Sequence, residues 1–168
     1  EGARTCFQRV LRLTERSGDL SMKMTALGNL GEVEMALGRR ELARECLVEA
    51  ARLGEQIRAY LDLPEVYRIL ASASVAVAEW SDSLRAARRA LELVERTAGR
   101  VYLPPVLLTA AQVCAAITHE PQRASDIAEE ARSVARVALG LVDGEHGSAL
   151  DSDHAAKCRQ LLGEVLSS

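Results

Sequence analysis

The chain is 168 residues long, the length of one ordinary domain, with 48% hydrophobic and only 3% aromatic residues. A core therefore has to be built from Ala, Leu and Val rather than from rings, and at that hydrophobicity the chain is not disordered. A net charge of −3 excludes the basic excess of a nucleic-acid binder, and no apolar run approaches the ~20 residues of a membrane span.

Prolines and glycines punctuate the chain. Pro64, Pro104/Pro105 and Pro121 each precede a periodic apolar segment, where the missing N–H has no helical partner to lose. Gly18, Gly38, Gly99 and Gly140 stand where helices end. Between them, apolar residues recur at three- and four-residue steps. The spacing predicts helices over roughly 2–17, 20–37, 40–58, 63–78, 81–98, 104–118, 121–139 and 149–166. Sustained apolar–polar alternation, the mark of strands, is nearly absent. The stretch from Val142 to Ser148 reads as a loop. The last segment, Asp151 to Leu166, is amphipathic, with Leu150, Cys158, Leu161, Leu162 and Val165 to bury and Asp151 and Asp153 in its first turn.

A shift of 40 residues superposes the chain on itself. Ala3, Phe7, Val10 and Leu11 fall on Ala43, Leu47, Ala50 and Ala51, and these on Ser83, Ala87, Ala90 and Leu91. Leu30-Gly31 falls on Leu70-Ala71 and then on Ala110-Ala111, and Gly38 falls on Ala78. A third unit keeps phase through Ala124, Ala128 and Ala131 if one residue is inserted within 118–123. Small residues at Gly31, Ala71 and Ala111 let paired helices approach closely. A helix pair of this kind cannot bury its apolar face alone and stacks on the next.

Leu30-Gly31, Gly38, Ala43, Leu47 and Ala50 resemble the tetratricopeptide repeat across its helix-turn-helix, with Leu70-Ala71 to Ala90 a looser second unit and Ala110 to Ala131 a degenerate third. The period exceeds the ~34 residues usual for that repeat. In this it is similar to the longer repeats of kinesin light chains, spindle-orientation scaffolds and the C-terminal sensor regions of large bacterial ATP-dependent transcription activators. The resemblance implies an all-α fold: a right-handed α-solenoid of antiparallel helix hairpins with a C-terminal capping helix. It divides the chain into a partial repeat over 1–18, repeats over about 22–60, 62–100 and 102–140, and the cap over 149–168. It also implies that first helices line a groove for a protein or peptide ligand. The groove positions are Thr25, Asn29, Glu32 and Met35, then Glu65, Arg68, Ser72 and Val75, then Leu108, Thr109 and Gln112. Asn29 matches a position where the family often has an Asn that bonds a peptide backbone, whereas Ile69 and Thr109 depart from that pattern.

Residues 2–17 align with the second helix of a hairpin, so Ala3, Phe7 and Val10 are expected to face nothing and to support self-association as a homodimer. The expected parent is a larger bacterial regulator of which this is an excised segment. The abundance of Arg over Lys alongside Ala, Val and Leu fits a GC-rich bacterial gene.

No catalytic constellation is found. Gly28, Gly31 and Gly38 follow no strand, so they form no phosphate loop. Glu32 and Glu34 point in different directions on one helix. His154 and Cys158 share a helix face and could ligate a metal with His146, but a closed zinc site needs four ligands, and no metal or other cofactor is expected. Arg85, Arg88 and Arg89 read as a solvated face with pairs such as Arg88–Glu92. Cys6, Cys46, Cys114 and Cys158 have no zinc or redox spacing, which suggests a reducing, cytoplasmic setting. The expected function is non-catalytic partner binding, without nucleic acid or membrane. A sensor domain that switches a linked ATPase, kinase or cyclase, and a dimerisation spacer, fit the same residues.

Overall fold

The left-handed residues that end the first two predicted helices are glycines, Gly18 at φ 71° and Gly38 at φ 74°, and the chain turns at both. The computed structural model describes residues 2–97, 100–120, 125–144 and 150–168. Among the described residues there are eight helices, one 3₁₀ turn over Arg100–Tyr102, and no strand: the protein is all-α. The helices are α1 (Gly2–Ser17), α2 (Leu20–Ala36), α3 (Arg40–Ile57), α4 (Leu63–Ala76), α5 (Trp80–Arg96), α6 (Leu103–Thr118), α7 (Ser125–Asp143) and α8 (Ser152–Ser167).

Local chemistry accounts for most of these boundaries. Asp19 caps α2 by accepting from the Met22 N–H at 2.9 Å, and Asp151 caps α8 by accepting from the His154 N–H at 2.8 Å. Proline occupies the first turn of α4 and of α6. One expected stop fails: α7 runs through Gly140 to Asp143. Leu141 and Val142 are buried there, at 6% and 2% exposure, and their burial outweighs the ~1 kcal/mol that a helical glycine costs. Gly99, Pro121, Ala124 and His146 lie outside the described residues.

Each helix from α1 to α8 packs on its chain neighbour; in addition α4 meets α2 and α6, α5 meets α7, and α8 lies against both α6 and α7. The core runs through these contacts as large aliphatics set among alanines: Leu47, Leu84, Leu91 and Leu107 are fully buried beside Ala43, Ala87 and Ala110. Close approach is real at Gly31, where an added Cβ would stand 2.6 Å from Leu47 Cγ and 3.2 Å from the Ala43 carbonyl.

The 40-residue recurrence reappears in the backbone. The N–H groups of Gly38 and Arg39 donate to the carbonyls of Met35 and Glu34 at 3.0 and 2.9 Å; those of Ala78 and Glu79 donate to Val75 and Ser74 at 3.0 and 2.9 Å. The next helix is then entered in the same way, by Ala43 N–H to Arg39 O and Ser83 N–H to Glu79 O. The third helix end differs. His119 stays right-handed at φ −85°, and the Thr118 hydroxyl bonds back to the carbonyls of Cys114 and Ala115. The architecture is helical and repeat-like, and no helix among the described residues is long and apolar enough to cross a membrane.

Candidate functional site

Two concave surfaces stand out. The first, a depression of about 180 Å³, lies between α2 and α4. Thr25, Asn29 and Glu32 reach it from α2, Asp62 and Glu65 from the start of α4, and Tyr102 closes one side. Glu32, Asp62 and Glu65 make its lining acidic. Asn29 and Glu32 are exposed, as is Thr25, whose hydroxyl donates to the Ser21 carbonyl at 3.1 Å.

Four of the eleven groove positions therefore come together: Thr25, Asn29, Glu32 and Glu65. Arg68 grips Glu65 through two nitrogens, at 2.7 and 2.6 Å, and lies outside the depression. That bond to Glu65 pushes the Arg68 pKa up. Ser72 donates to the Arg68 carbonyl within its own helix, and Met35 is packed against the core. Val75 and Leu108 are packed there too. Gln112 is exposed on α6, away from the depression. Thr109, expected on the groove, is instead interior at 6% exposure, because α6 is covered by α4, α5, α7 and α8.

The expectation that α1 has an uncovered face needs adjusting. Ala3 is exposed, but Phe7 and Val10 are only half-exposed because α1 packs on α2. Leu13, at 53%, is the most exposed large apolar side chain of α1. Arg4 ties the two helices together. Its Nε donates to Glu34 Oε1 at 2.6 Å, and Arg39 donates to Oε2 at 3.3 Å. Glu34 is buried, at 2% exposure, while Glu32 faces out. Burial pushes the Glu34 carboxyl up, and the two guanidiniums together hold it below its ordinary value of 4.5.

The second and larger surface was not legible in the sequence. A cavity of about 480 Å³ lies between α3, α4 and α5. Its apolar lining comes from Val48, exposed at 44%, and from the buried Ala51, Leu70 and Ala86. Arg44 and Arg85 stand at one end and both bond the Asp82 carboxylate. At the other end Glu55 accepts from Arg89 Nε at 2.9 Å and from the Tyr67 hydroxyl at 3.1 Å. Arg89 and then Tyr67 hold the Glu55 carboxyl low against its burial. Burial, and then Glu55, push the Tyr67 hydroxyl up to about 12, so it stays protonated and donates. Arg89 bonds Glu92 as well, at 3.1 Å, so the expected Arg88–Glu92 pair is replaced by Arg89–Glu92, and Arg88 reaches across to the Ser133 hydroxyl at 3.1 Å. Arg44, Arg52, Arg85 and Arg89 come together only because α3 and α5 both pack on α4.

Cys158 packs in the core while His154 is exposed, its Nδ1 2.6 Å from Asp151 Oδ2, so these two do not face one centre. No group of three potential metal-ligating side chains gathers among the described residues, and His146 lies outside them. All four cysteines are thiols, and burial pushes the Cys114 thiol up to about 12.

No protein-family model matches the chain, and neither does any curated protein.

Proposed function

We propose that the chain is a non-catalytic binding module: a right-handed solenoid of tetratricopeptide-like helix hairpins, capped by α8, that holds a peptide or protein segment against the α2–α4 face. The observation that carries this reading is the acidic depression, where Thr25, Asn29 and Glu32 of α2 meet Glu65 of α4. The recurrence of the α2–α3 turn in the α4–α5 turn supports the repeat reading. Asn29 offers an amide that can both donate to and accept from a peptide backbone. Glu32 and Asp62, beside a Glu65 already paired with Arg68, favour a partner segment carrying Lys or Arg through charge-assisted bonds. The bacterial cytoplasm, a larger regulatory parent and self-association through α1 belong to the same reading.

Selection from a random peptide display library tests it. Wild type is expected to enrich a basic motif, and a Glu32→Lys/Glu65→Lys variant of unchanged helicity is expected to lose that motif or select an acidic one. Enrichment of the same peptides by both proteins, or of no motif, overturns the assignment.

A further inference from the structure

We propose that the outward apolar face of α1 is a docking site for an acidic amphipathic helix of another protein, laid antiparallel to α1. The inference goes beyond the peptide-binding reading of the α2–α4 face and does not rest on it.

The recurrence within the chain shows what such a face takes. Ala3, Phe7, Val10 and Leu13 of α1 stand 40 residues before Ala43, Leu47, Ala50 and Leu53 of α3, and the same places in α5 hold Ser83, Ala87, Ala90 and Leu93. All the α3 and α5 residues are buried. In α1, Ala3 is exposed and Phe7 and Val10 are half-buried. Leu13 is 53% exposed, where Leu53 is 2% and Leu93 3%. Each of α1, α3 and α5 packs on the helix that follows it, and α3 and α5 also pack on the helix before them. That preceding helix covers this face. Gly31 of α2 sits against Leu47 and the Ala43 carbonyl, and the Ala71 carbonyl of α4 accepts from the Ser83 hydroxyl at 2.8 Å. Position 31 against 43 and 71 against 83 is one antiparallel register used twice.

That register sets the partner's pattern. An added Cβ at Gly31 would stand 2.6 Å from Leu47 Cγ, and in α1 the larger Phe7 takes the place of Leu47, so the partner needs Gly or Ala at this crossing. Charge sets a second position. Lys23 of α2 reaches Glu49 of α3 at 3.9 Å. The α1 residue in the place of Glu49 is Arg9. The partner therefore needs Asp or Glu where α2 has Lys23, eight positions before the small residue.

The rest of α1 adds to that positive charge. Arg9, Arg12 and Arg16 are exposed and form no ion pair among the described residues, and their spacing of three and four puts them on one side of the helix. A second copy of α1 is the competing occupant, and it matches less well. Glu15 is the one acid between Gly2 and Ser17, so two such helices would bring arginines against arginines.

Fluorescence anisotropy with two fluorescein-labelled peptides tests the proposal on the whole chain. Both copy α2, Leu20–Ala36, the helix that covers this face on α3; one keeps Lys23 and the other carries Lys23→Glu. Wild type is expected to bind the Glu peptide saturably and about fivefold more tightly than the Lys peptide. Arg9→Glu changes an exposed side chain that bonds nothing among the described residues, so the variant stays folded, and it is expected to reverse the order of the two peptides. Leu13→Asp, also at an exposed position, is expected to weaken the Glu peptide about tenfold. Equal affinity of wild type for the two peptides, an unchanged order with Arg9→Glu, undiminished binding by Leu13→Asp, or no saturable binding overturns the proposal. So does a chain that sediments as a dimer and becomes monomeric with Leu13→Asp, since a second copy then holds the face. Each of these results leaves the selection of basic peptides at the α2–α4 face to be read separately.

Discussion

At the end of α2 the left-handed residue is Gly38; at the end of α4 the same place in the turn is held by Ala78, at φ 60°. The bonds of Gly38 and Arg39 match those of Ala78 and Glu79 to within 0.1 Å, although Leu37 N–H donates to Val33 where Val77 N–H donates to Ser74, and the side chains around the two turns have diverged. Where the first turn has Glu34, buried and held by Arg4 and Arg39, the second has Ser74, buried without a partner. Where the first has Gly31 against Leu47, the second has Ala71, whose carbonyl accepts from the Ser83 hydroxyl at 2.8 Å. The first turn is closed by charge pairing and tight contact. The second keeps the backbone but leaves donors unused beside a cavity. A repeat can thus hold its geometry fixed while the positions just inside each turn are released for other purposes.

Substitutions can break or sharpen that contrast. The largest effect is expected at the tight contact. Gly31→Val drives side-chain atoms into Leu47 and should destabilise by about 3 kcal/mol in urea denaturation, whereas Ala71→Gly in the second unit should cost about 1 kcal/mol. Arg4→Ala comes next. It leaves the Glu34 carboxylate with Arg39 as its remaining guanidinium and, since Arg4 is partly solvated, should cost about 2 kcal/mol. This contribution depends on pH. The folded Glu34 value lies below the ordinary 4.5, so its stabilisation is fully present above pH 4.5 and is lost as pH falls through the folded value. The stability gap between wild type and Glu34→Gln should accordingly narrow on acidification, as followed by thermal denaturation.

The turn residues should give smaller effects of opposite sign. Ala78→Gly relieves a left-handed alanine and should gain about 1 kcal/mol, roughly 3 °C in Tm at this size, while Gly38→Ala should lose about as much. Smallest of all is Ser74→Ala, within about 0.5 kcal/mol of wild type, because the hydroxyl it removes bonds nothing. A Ser74→Ala loss beyond about 1.5 kcal/mol, the worth of one buried hydrogen bond, would show that the hydroxyl has a partner after all and erase the contrast between the turns.

Helix positions were legible because Pro64, Pro104, Gly18 and Gly38 act locally, through the backbone angles they permit. Gly140 misled for the converse reason: a glycine's preference is weak beside the burial of Leu141 and Val142, which depends on where α7 packs. Part of the α2–α4 depression was legible, because Thr25, Asn29 and Glu32 follow one face of one helix. Thr109 lies at a matching position, but α8 lies over α6, and no periodicity within α6 registers that covering. The larger cavity was hidden because its arginines each have plausible partners within their own helix. Only the contact of α3 with α5 across α4 turns Arg44 and Arg85 into one cluster around Asp82.

The cysteines form a graded series in depth, from Cys6 exposed on α1, through Cys46 half-buried on α3, to Cys114 and Cys158 fully enclosed on α6 and α8. Burial raises the thiol pKa of the last three, which slows Cys46 and leaves the enclosed Cys114 and Cys158 unreactive until their surroundings open. Alkylation under native conditions therefore becomes a set of clocks along the chain: Cys6 times the labelling chemistry, Cys158 the lifting of the terminal helix, and Cys114 the opening of the whole stack.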